Sequence, residues 1–172
     1  MLDKKQLRDE IEYSAVIALG SNLHDPRAQI NKAIGQLRSE YPACFCASSV
    51  YRTAPVKMRD ASEDFANAVV TFKTTRSPQQ LLTQLRAMER DAGRPWQHGP
   101  NEARILDLDI IAYGDLMVNQ ENLSIPHPRA HQRQFVMVPL QEICPDFRFP
   151  GMDQSLPALV NQAPVLRLEK WC

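Results

Sequence analysis

Short apolar runs alternate with stretches of helical periodicity along the first two thirds of the chain. Residues 15–19 are continuously apolar and too few for a helix, which predicts a strand buried on both faces. Asp25 and Pro26 then supply an N-cap and a proline at the first helical position. Apolar side chains follow at helical spacing, at Ile30, Ala33, Ile34 and Leu37. The pattern predicts a strand followed by a helix.

The same alternation continues through the middle of the chain. Residues 45–53 and 65–72 are rich in strand-forming side chains, and the segment 54–64 between them is typical of a loop. A serine-proline pair at 77–78 begins a second helix, whose apolar positions are Leu81, Leu82, Leu85 and Met88. After this helix, a polar loop over 94–104 precedes another apolar strand.

The resulting order, β-α-β-β-α-β, is that of the split unit of ferredoxin-like folds, in which two helices cover one face of an antiparallel sheet. This order predicts an α+β protein. Apolar segments near 117–118 and 123–125 predict a C-terminal hairpin, and seven later prolines divide the remainder into short helices and loops. We expect a single domain over 1–172. Residues 1–12 should be a peripheral extension, and the C-terminal third should be an appendage rather than a second core.

Composition and charge narrow the classes of function. A chain of 172 residues with 44% hydrophobic content can bury one core. Lys and Arg together equal Asp and Glu, at 20 each, so no overall field favours a nucleic acid or an anionic membrane. Neither a signal-peptide pattern nor a bilayer-spanning segment is present in the sequence. We expect a cytoplasmic protein, and because nothing in the sequence compels an oligomer, we expect a monomer.

Two acids within one apolar strand are the leading candidates for chemistry. Side chains alternate across a strand, so Asp107 and Asp109 should point to one face, about 7 Å apart, and Leu106, Leu108 and Ile110 to the other. Divalent metals are the usual compensation for two ionised acids placed together, which indicates a Mg²⁺ site. The alternative is an ordinary half-exposed strand whose wet face carries both acids, and the motif alone does not decide.

Cationic side chains flank this strand in the sequence, at Arg94, Arg104, His127, Arg129 and Arg133. Guanidinium groups bind phosphate oxygens through paired N–H donors. A metal with arginines suits phosphoryl transfer, in which the protein mainly positions groups and neutralises charge. No Walker glycine loop and no convincing nucleophile pair is present in the sequence. Any one of these arginines, taken alone, could equally be a solvated surface charge.

Three other polar positions allow two interpretations each. Glu89, on the second predicted helix, could bind a ligand or be an exposed helix charge. Asn67 lies in an apolar strand and must find partners, because burying its amide unsatisfied costs about 1–3 kcal/mol. A flat heterocycle with an amide-like edge would satisfy it, and so would a neighbouring loop. The turn at 20–22 could offer backbone N–H groups to an anion or serve only as a turn.

Six motifs in order, spread over about residues 16–149, resemble those of the 6-hydroxymethyl-7,8-dihydropterin pyrophosphokinases of folate biosynthesis. They are ALGSNL at 18–23, SVYRTAP at 49–55, DFANA at 64–68, ERDAGR at 89–94, RILDLDII at 104–111, and IPHPR at 125–129 with RQFV at 133–136. The resemblance implies transfer of the β,γ-pyrophosphoryl group of ATP, the co-substrate, to the hydroxymethyl oxygen of the pterin. AMP would be released.

The resemblance also implies roles for individual residues by matching position. Asp107 and Asp109 would hold two Mg²⁺ ions and, with Arg104 and Arg133, form the catalytic set. The implied ATP-binding residues are Glu89, Arg94, Arg104, Ile110, His127 and Arg133. The implied pterin-binding residues are Thr53, Ala54, Val56, Phe65, Asn67 and Phe135, with the two phenylalanines sandwiching the ring. Loops 54–64 and 94–104 would be mobile lids.

The chain departs from the family pattern immediately before the metal strand. The family commonly has Arg-Trp-Gly-Pro-Arg there, whereas this chain reads PNEAR at 100–104, with Trp96 five residues upstream of the expected tryptophan. Arg86 stands where the family often has glutamine. A weakened relative that only binds ATP or pterin is therefore an alternative. A ferredoxin-like nucleic-acid-binding module is a third, against which the balanced charge and the missing RNP-type motif both speak.

Overall fold

The computed structural model describes residues 11–54, 64–93 and 104–172. The strands, in chain order, are β1 (Tyr13–Ser21), β2 (Cys46–Ala47), β3 (Tyr51–Thr53), β4 (Phe65–Thr74), β5 (Asp107–Tyr113), β6 (Val118–Gln120), β7 (Leu123–Ile125) and β8 (Leu168–Lys170). The α-helices are α1 (Pro26–Glu40), α2 (Pro78–Asp91), α3 (Gln134–Ile143) and α4 (Leu156–Gln162). A short 3-10 helix, Ala130–Gln132, precedes α3. Part of the predicted N-terminal extension, residues 1–10, lies outside the described residues.

The main sheet has the order β5-β1-β4-β3-β8, and β2 also pairs with β4. Every neighbouring pair in it is antiparallel. β1 and β3, which α1 connects, lie on either side of β4, and β4 and β5, which α2 connects, lie on either side of β1. This interleaving of two β-α-β units is the arrangement of the split ferredoxin-like unit. The predicted α+β fold is therefore confirmed, and β6 with β7 forms the predicted hairpin as a separate two-stranded sheet.

Both central helices begin where their capping residues predict. The Asp25 carboxylate accepts a hydrogen bond from the backbone N–H of Ala28, and Pro26 occupies the first turn of α1. At the start of α2, Ser77 and Gln80 form a reciprocal capping box, in which each side chain accepts from the backbone N–H of the other. Local chemistry thus sets the starts of the two helices that pack beneath the site.

The single strand predicted over 45–53 is divided into β2 and β3. Between them, Ser48 bonds to β4 twice: its N–H donates to the carbonyl of Val69 at 2.9 Å, and its hydroxyl oxygen accepts from the N–H of Val69 at 3.0 Å. A side-chain hydroxyl therefore replaces a backbone partner and interrupts the ladder. The sheet nonetheless continues to β3, which carries Thr53.

The two faces of the sheet bury two separate apolar clusters. The first lies under α1 and α2 and includes Ile17, Leu19 and Val70, as predicted for two helices on one face. The second lies on the opposite face, where Val16 and Val69 pack against residues of α3, α4 and the connecting segments: Ala130, Val136, Met137, Leu140, Phe149, Leu156, Leu159 and Ala163. The C-terminal third therefore packs on the sheet, as expected, but the expectation that it is an appendage rather than a second core is wrong. Strand residues alternate between faces, and the apolar side chains on the second face also need cover.

Within the described ranges, no helix combines the length and the apolar character needed to cross a bilayer.

Candidate active site

Strand β5 divides its side chains between the core and a cavity, as its alternation predicts. Leu106, Leu108 and Ile110 belong to the cluster under α1 and α2. Asp107 and Asp109 point to the other face, where both line the same cavity. A half-exposed strand with solvated acids would lack these concave surroundings. The two acids, both partly buried, therefore share one concave wall, an arrangement that a cation site can use.

Arg104 approaches this pair from the segment just before β5. One of its guanidinium nitrogens, Nη1, lies 2.5 Å from Oδ2 of Asp107, and its side chain is 30% exposed. The contact places a fixed positive charge beside one of the two carboxylates. It also keeps the guanidinium at the cavity wall rather than in bulk solvent.

Further basic side chains approach from the segment between β7 and α3. The N–H of His127 donates to the carbonyl of Ile111 at 2.9 Å, which holds this segment along β5. Burial, together with the nearby Arg133 and Arg129 cations, lowers the pKa of His127 to about 4. Burial also lowers the pKa of Arg133, as does Arg129, whereas the carboxylates of Asp109 and Asp107 raise it. The tertiary structure thus gathers Arg104, His127, Arg129 and Arg133, the basic side chains of that set that fall within the described residues.

Glu89 is a buried carboxylate, not an exposed helix charge. It is 4% exposed, and its Oε1 accepts a hydrogen bond from the N–H of Leu108 at 2.7 Å. The bond ties α2 to β5 between the two acids of the strand. Glu89 therefore fixes the position of Asp107 and Asp109, in addition to any contact it makes with a ligand.

Asn67 finds its partner within the sheet. Its Nδ2 donates to Oγ1 of Thr53 at 2.9 Å, and both side chains are buried. The contact joins β4 to β3 and gives the cavity wall a polar edge. Neither of the partners considered from the sequence, a loop backbone or a ligand, is needed to satisfy this amide nitrogen, because a hydroxyl on the neighbouring strand accepts its hydrogen bond.

Two cavities meet at the acid pair. The larger, of about 450 Å³, is lined by residues that include Thr53, Ala54, Phe65, Asn67, Phe135 and Leu166. The smaller, of about 390 Å³, is lined by residues that include Arg86, Glu89, Arg90, Ile110, Asn122 and Ser124. Both contain the same four side chains at their junction: Arg104, Asp107, Asp109 and His127. The arrangement allows two different molecules to reach the same pair of carboxylates.

All predicted site residues within the described ranges lie on these walls, with Arg133 on the larger cavity. Three predicted or considered residues lie outside the described residues: Val56, Arg94 and Trp96. The two loops predicted to be lids, 54–64 and 94–104, lie outside them except for Ala54, Asp64 and Arg104 at their ends. Leu166 lines the larger cavity and was missed by the sequence interpretation. Its segment is held by Gln134, whose Oε1 accepts from the N–H of Leu166 at 2.8 Å. No local signal in the sequence indicates that contact.

The donor set at the junction suits magnesium. Among the described residues, no group of three or more His, Cys, Asp or Glu side chains is placed to hold a metal ion. Mg²⁺ is commonly bound through one or two carboxylates, with water and substrate phosphates supplying the remaining ligands. Two acids beside a cluster of arginines fit that arrangement, because the arginines would attract the phosphates.

Comparisons with known proteins agree with this geometry. Residues 16–145 match the family model for 7,8-dihydro-6-hydroxymethylpterin-pyrophosphokinase (HPPK). A 2-amino-4-hydroxy-6-hydroxymethyldihydropteridine pyrophosphokinase from Haemophilus influenzae is 41% identical over 152 residues, covering 87% of this chain and 92% of the relative. The Pseudomonas aeruginosa protein of the same name is 34% identical over 157 residues, covering 90% and 94%.

A solved structure supports the fold independently. The crystal structure of wild-type Plasmodium falciparum HPPK-DHPS with pteroate aligns with a TM-score of 0.69 and 15% sequence identity. The alignment covers 88% of this chain and 42% of that longer chain. The family match and the relatives show that the chain belongs to the 7,8-dihydro-6-hydroxymethylpterin-pyrophosphokinase family.

Proposed function

We propose that the protein transfers pyrophosphate from ATP to 6-hydroxymethyl-7,8-dihydropterin in folate biosynthesis, giving the pterin diphosphate and AMP. The observation that carries the proposal is the pair of cavities that meet at Asp107 and Asp109. A reaction between two bound substrates needs adjoining sites that bring the reacting groups together, and phosphoryl transfer also needs charged groups at the point where they meet. The names of the relatives support the same activity.

The larger cavity suits the pterin. Phe65 and Phe135 offer aromatic faces to a flat ring, and Thr53 and Asn67 offer a polar edge. Ala54 lies on the same wall and leaves room for the heterocycle. The ring would be held by stacking, and its orientation would be set by hydrogen bonds at its polar edge.

The smaller cavity suits the nucleotide. Glu89 and Ile110 lie on its wall, and the Arg104 cation and the neutral His127 imidazole stand where it joins the larger cavity. Arg133, on the larger cavity, faces the same carboxylates. The base and ribose would occupy the smaller cavity, while the triphosphate would extend to the junction and meet the arginines.

At the junction, the chain's own residues orient the displacement. The pterin hydroxymethyl oxygen, directed from the larger cavity, attacks the β-phosphorus and releases its proton to solvent as the new O–P bond forms. The bond from the β-phosphorus to the bridging oxygen of AMP breaks, and AMP keeps that oxygen. Arg104 and Arg133 stabilise negative charge on the transferred group. Two Mg²⁺ ions held by Asp107 and Asp109 would neutralise phosphate charge and make the attacking hydroxyl more acidic.

The test is AMP formation from ATP by the purified protein, with and without the hydroxymethyl pterin. We expect AMP to require the pterin and Mg²⁺, and EDTA to abolish the reaction until Mg²⁺ is restored. A 6-methyl pterin, which lacks the acceptor hydroxyl, should bind without producing AMP. Binding of ATP and pterin without any AMP would instead favour a non-catalytic relative.

The single domain over 1–172, the monomeric state and the cytoplasmic location remain predictions. Light scattering of the purified protein tests the monomer directly, and a dimer mass would contradict it.

A further inference from the structure

Asn22 binds both backbone polar groups of Arg104. The N–H of Asn22 donates to the carbonyl oxygen of Arg104 at 3.0 Å, and its Oδ1 accepts from the N–H of Arg104 at 2.6 Å. The two residues are 82 positions apart in sequence, and Asn22 is completely buried. The backbone N–H and the side-chain oxygen of Asn22 together therefore bond the Arg104 backbone as a neighbouring strand would.

The contact lies just beyond the end of a sheet ladder. The pairing of β1 with β5 ends at Gly20 and Asp107. Arg104 lies three residues before this last pair, where the two strands no longer pair. In that position the asparagine takes over as partner of the Arg104 backbone. The backbone from which the Arg104 side chain projects is held by Asn22, not by regular strand pairing.

Fixing this backbone matters because of where the Arg104 side chain lies. Its guanidinium contacts Asp107, and it is one of the side chains at the junction of the two cavities. A long side chain loses precision if its backbone shifts, and a misplacement of about 1 Å can reduce catalysis up to about a hundredfold. Arg104 can serve both cavities only while its starting point is held.

The chemistry of Asn22 favours a positioning role over simple core packing. Among the described residues, its buried Nδ2 has no hydrogen-bond partner, and neither has the hydroxyl of Ser21 beside it. An unsatisfied buried polar group is destabilising. An apolar side chain would therefore serve a purely packing role better, whereas only an acceptor at this place can bind the N–H of Arg104.

We propose that Asn22 is a positioning residue, which holds the Arg104 backbone so that its guanidinium meets the nucleotide phosphates at the junction. The inference rests on the proposed function for the identity of the nucleotide. It assigns a role in the site to the turn at 20–22, which sequence reasoning left open between an anion-binding loop and a simple turn. The backbone N–H of Asn22 in this turn donates to the carbonyl oxygen of Arg104, so it is not available to an anion.

The test is a double-mutant cycle with a conservative partner. Asn22→Leu removes the acceptor at similar volume, whereas Asn22→Asp keeps an oxygen near the Oδ1 position. We expect Asn22→Leu to lower kcat/KM for ATP by about 10- to 100-fold, and Asn22→Asp to retain most of the activity. In an Arg104→Ala background, Asn22→Leu should lower kcat/KM for ATP by less than about a further twofold, because the two residues act as one unit.

Ser48→Ala is the matched control for lost stability. It also removes a buried side-chain oxygen that accepts from a backbone N–H across the sheet, at 3.0 Å, but Ser48 lies on neither cavity wall. It should lower the melting temperature without changing kcat/KM for ATP. If Asn22→Leu and Arg104→Ala have independent, multiplicative effects on kcat/KM, or if Ser48→Ala lowers kcat/KM for ATP as much as Asn22→Leu does, the positioning role is wrong.

A binding measurement separates this inference from the proposed function. The same cycle is run by calorimetry with Mg²⁺ and α,β-methylene ATP, which cannot release AMP. If the wild-type protein forms no pterin-dependent AMP, the proposed function fails, while a coupled loss of nucleotide affinity in the cycle still supports the role of Asn22. If the wild-type protein does not bind the nucleotide, the inference about Asn22 fails as well.

Discussion

Asp107 and Asp109 stand side by side on one face of β5, where two cavities join. Because the displacement concentrates charge there, we expect Asp107→Ala and Asp109→Ala each to reduce pterin-dependent AMP formation by about a hundredfold or more. Neither side chain belongs to the apolar clusters, so the far-UV circular dichroism spectrum should not change. Asp146→Ala, at an exposed position, is the control. Near-normal AMP release by either β5 variant would refute the metal assignment.

His127 links the site to pH. Its pKa is lowered from 6.5 to about 4 in the folded protein, so between these values the unfolded chain binds a proton that the folded protein does not. The free energy of unfolding must then fall as the pH drops through this window. The free energy of unfolding is measured by urea titration at pH 7 and pH 5. We expect its fall between these pH values to be smaller in His127→Gln than in the wild type, and unchanged in His131→Gln. Equal acid sensitivity in wild type and His127→Gln would contradict the half-buried, neutral imidazole.

At the scale of elements, one carboxylate on α3 holds β3 in place. Glu142 accepts from the hydroxyl of Tyr51 at 2.7 Å, and from the N–H and hydroxyl of Ser49 at 3.1 and 2.7 Å. Because Tyr51 is buried, Tyr51→Phe should lower the free energy of unfolding by about 1–2 kcal/mol in urea titration. Lys170→Ala removes only an exposed ion pair to the same carboxylate, at 3.5 Å, and should cost less than about 0.5 kcal/mol. Equal losses would mean that the phenol contact contributes nothing specific.

One edge of β3 pairs with β4, and its other edge pairs with β8 near the C-terminus. Residues of β8 pair with Tyr51 and Thr53, and the N–H of Trp171 donates to the carbonyl of Val50 at 2.8 Å. The segment just before β8 carries Leu166 to the wall of the larger cavity. The end of the chain therefore supports the polar edge at Thr53 and completes the wall of the candidate pterin site.

For the whole molecule, the two-faced core makes the C-terminal third part of the main structure. Leu140 on α3 and Leu85 on α2 are both fully buried, on opposite faces of the sheet. We expect Leu140→Ala and Leu85→Ala each to lower the free energy of unfolding by about 2–5 kcal/mol, within a single urea transition. Val165→Ala, at a position 94% exposed, should change it by less than about 0.5 kcal/mol. A separate early transition in Leu140→Ala would show that the C-terminal third unfolds by itself.

Sequence alone determined the features that depend on neighbouring residues. Alternation in β5 predicted which side chains face the core and which face the cavity, because the strand repeats every two residues. The caps at Asp25 and Ser77 predicted the starts of both central helices, because capping is a contact within one turn. The order of the elements and the motifs together predicted the fold and the family.

Tertiary structure alone decided the features that depend on distant residues. The choice between exposed and buried Glu89, the partner of Asn67, the bond from Asn22 to Arg104 and the place of Leu166 all join segments far apart in the chain. The second core is a further example. Sequence periodicity places apolar side chains on that face of the sheet, but only the tertiary structure shows that α3 and α4 cover them. Periodicity reports which residues need burial, whereas packing and hydrogen bonding across the fold select their partners.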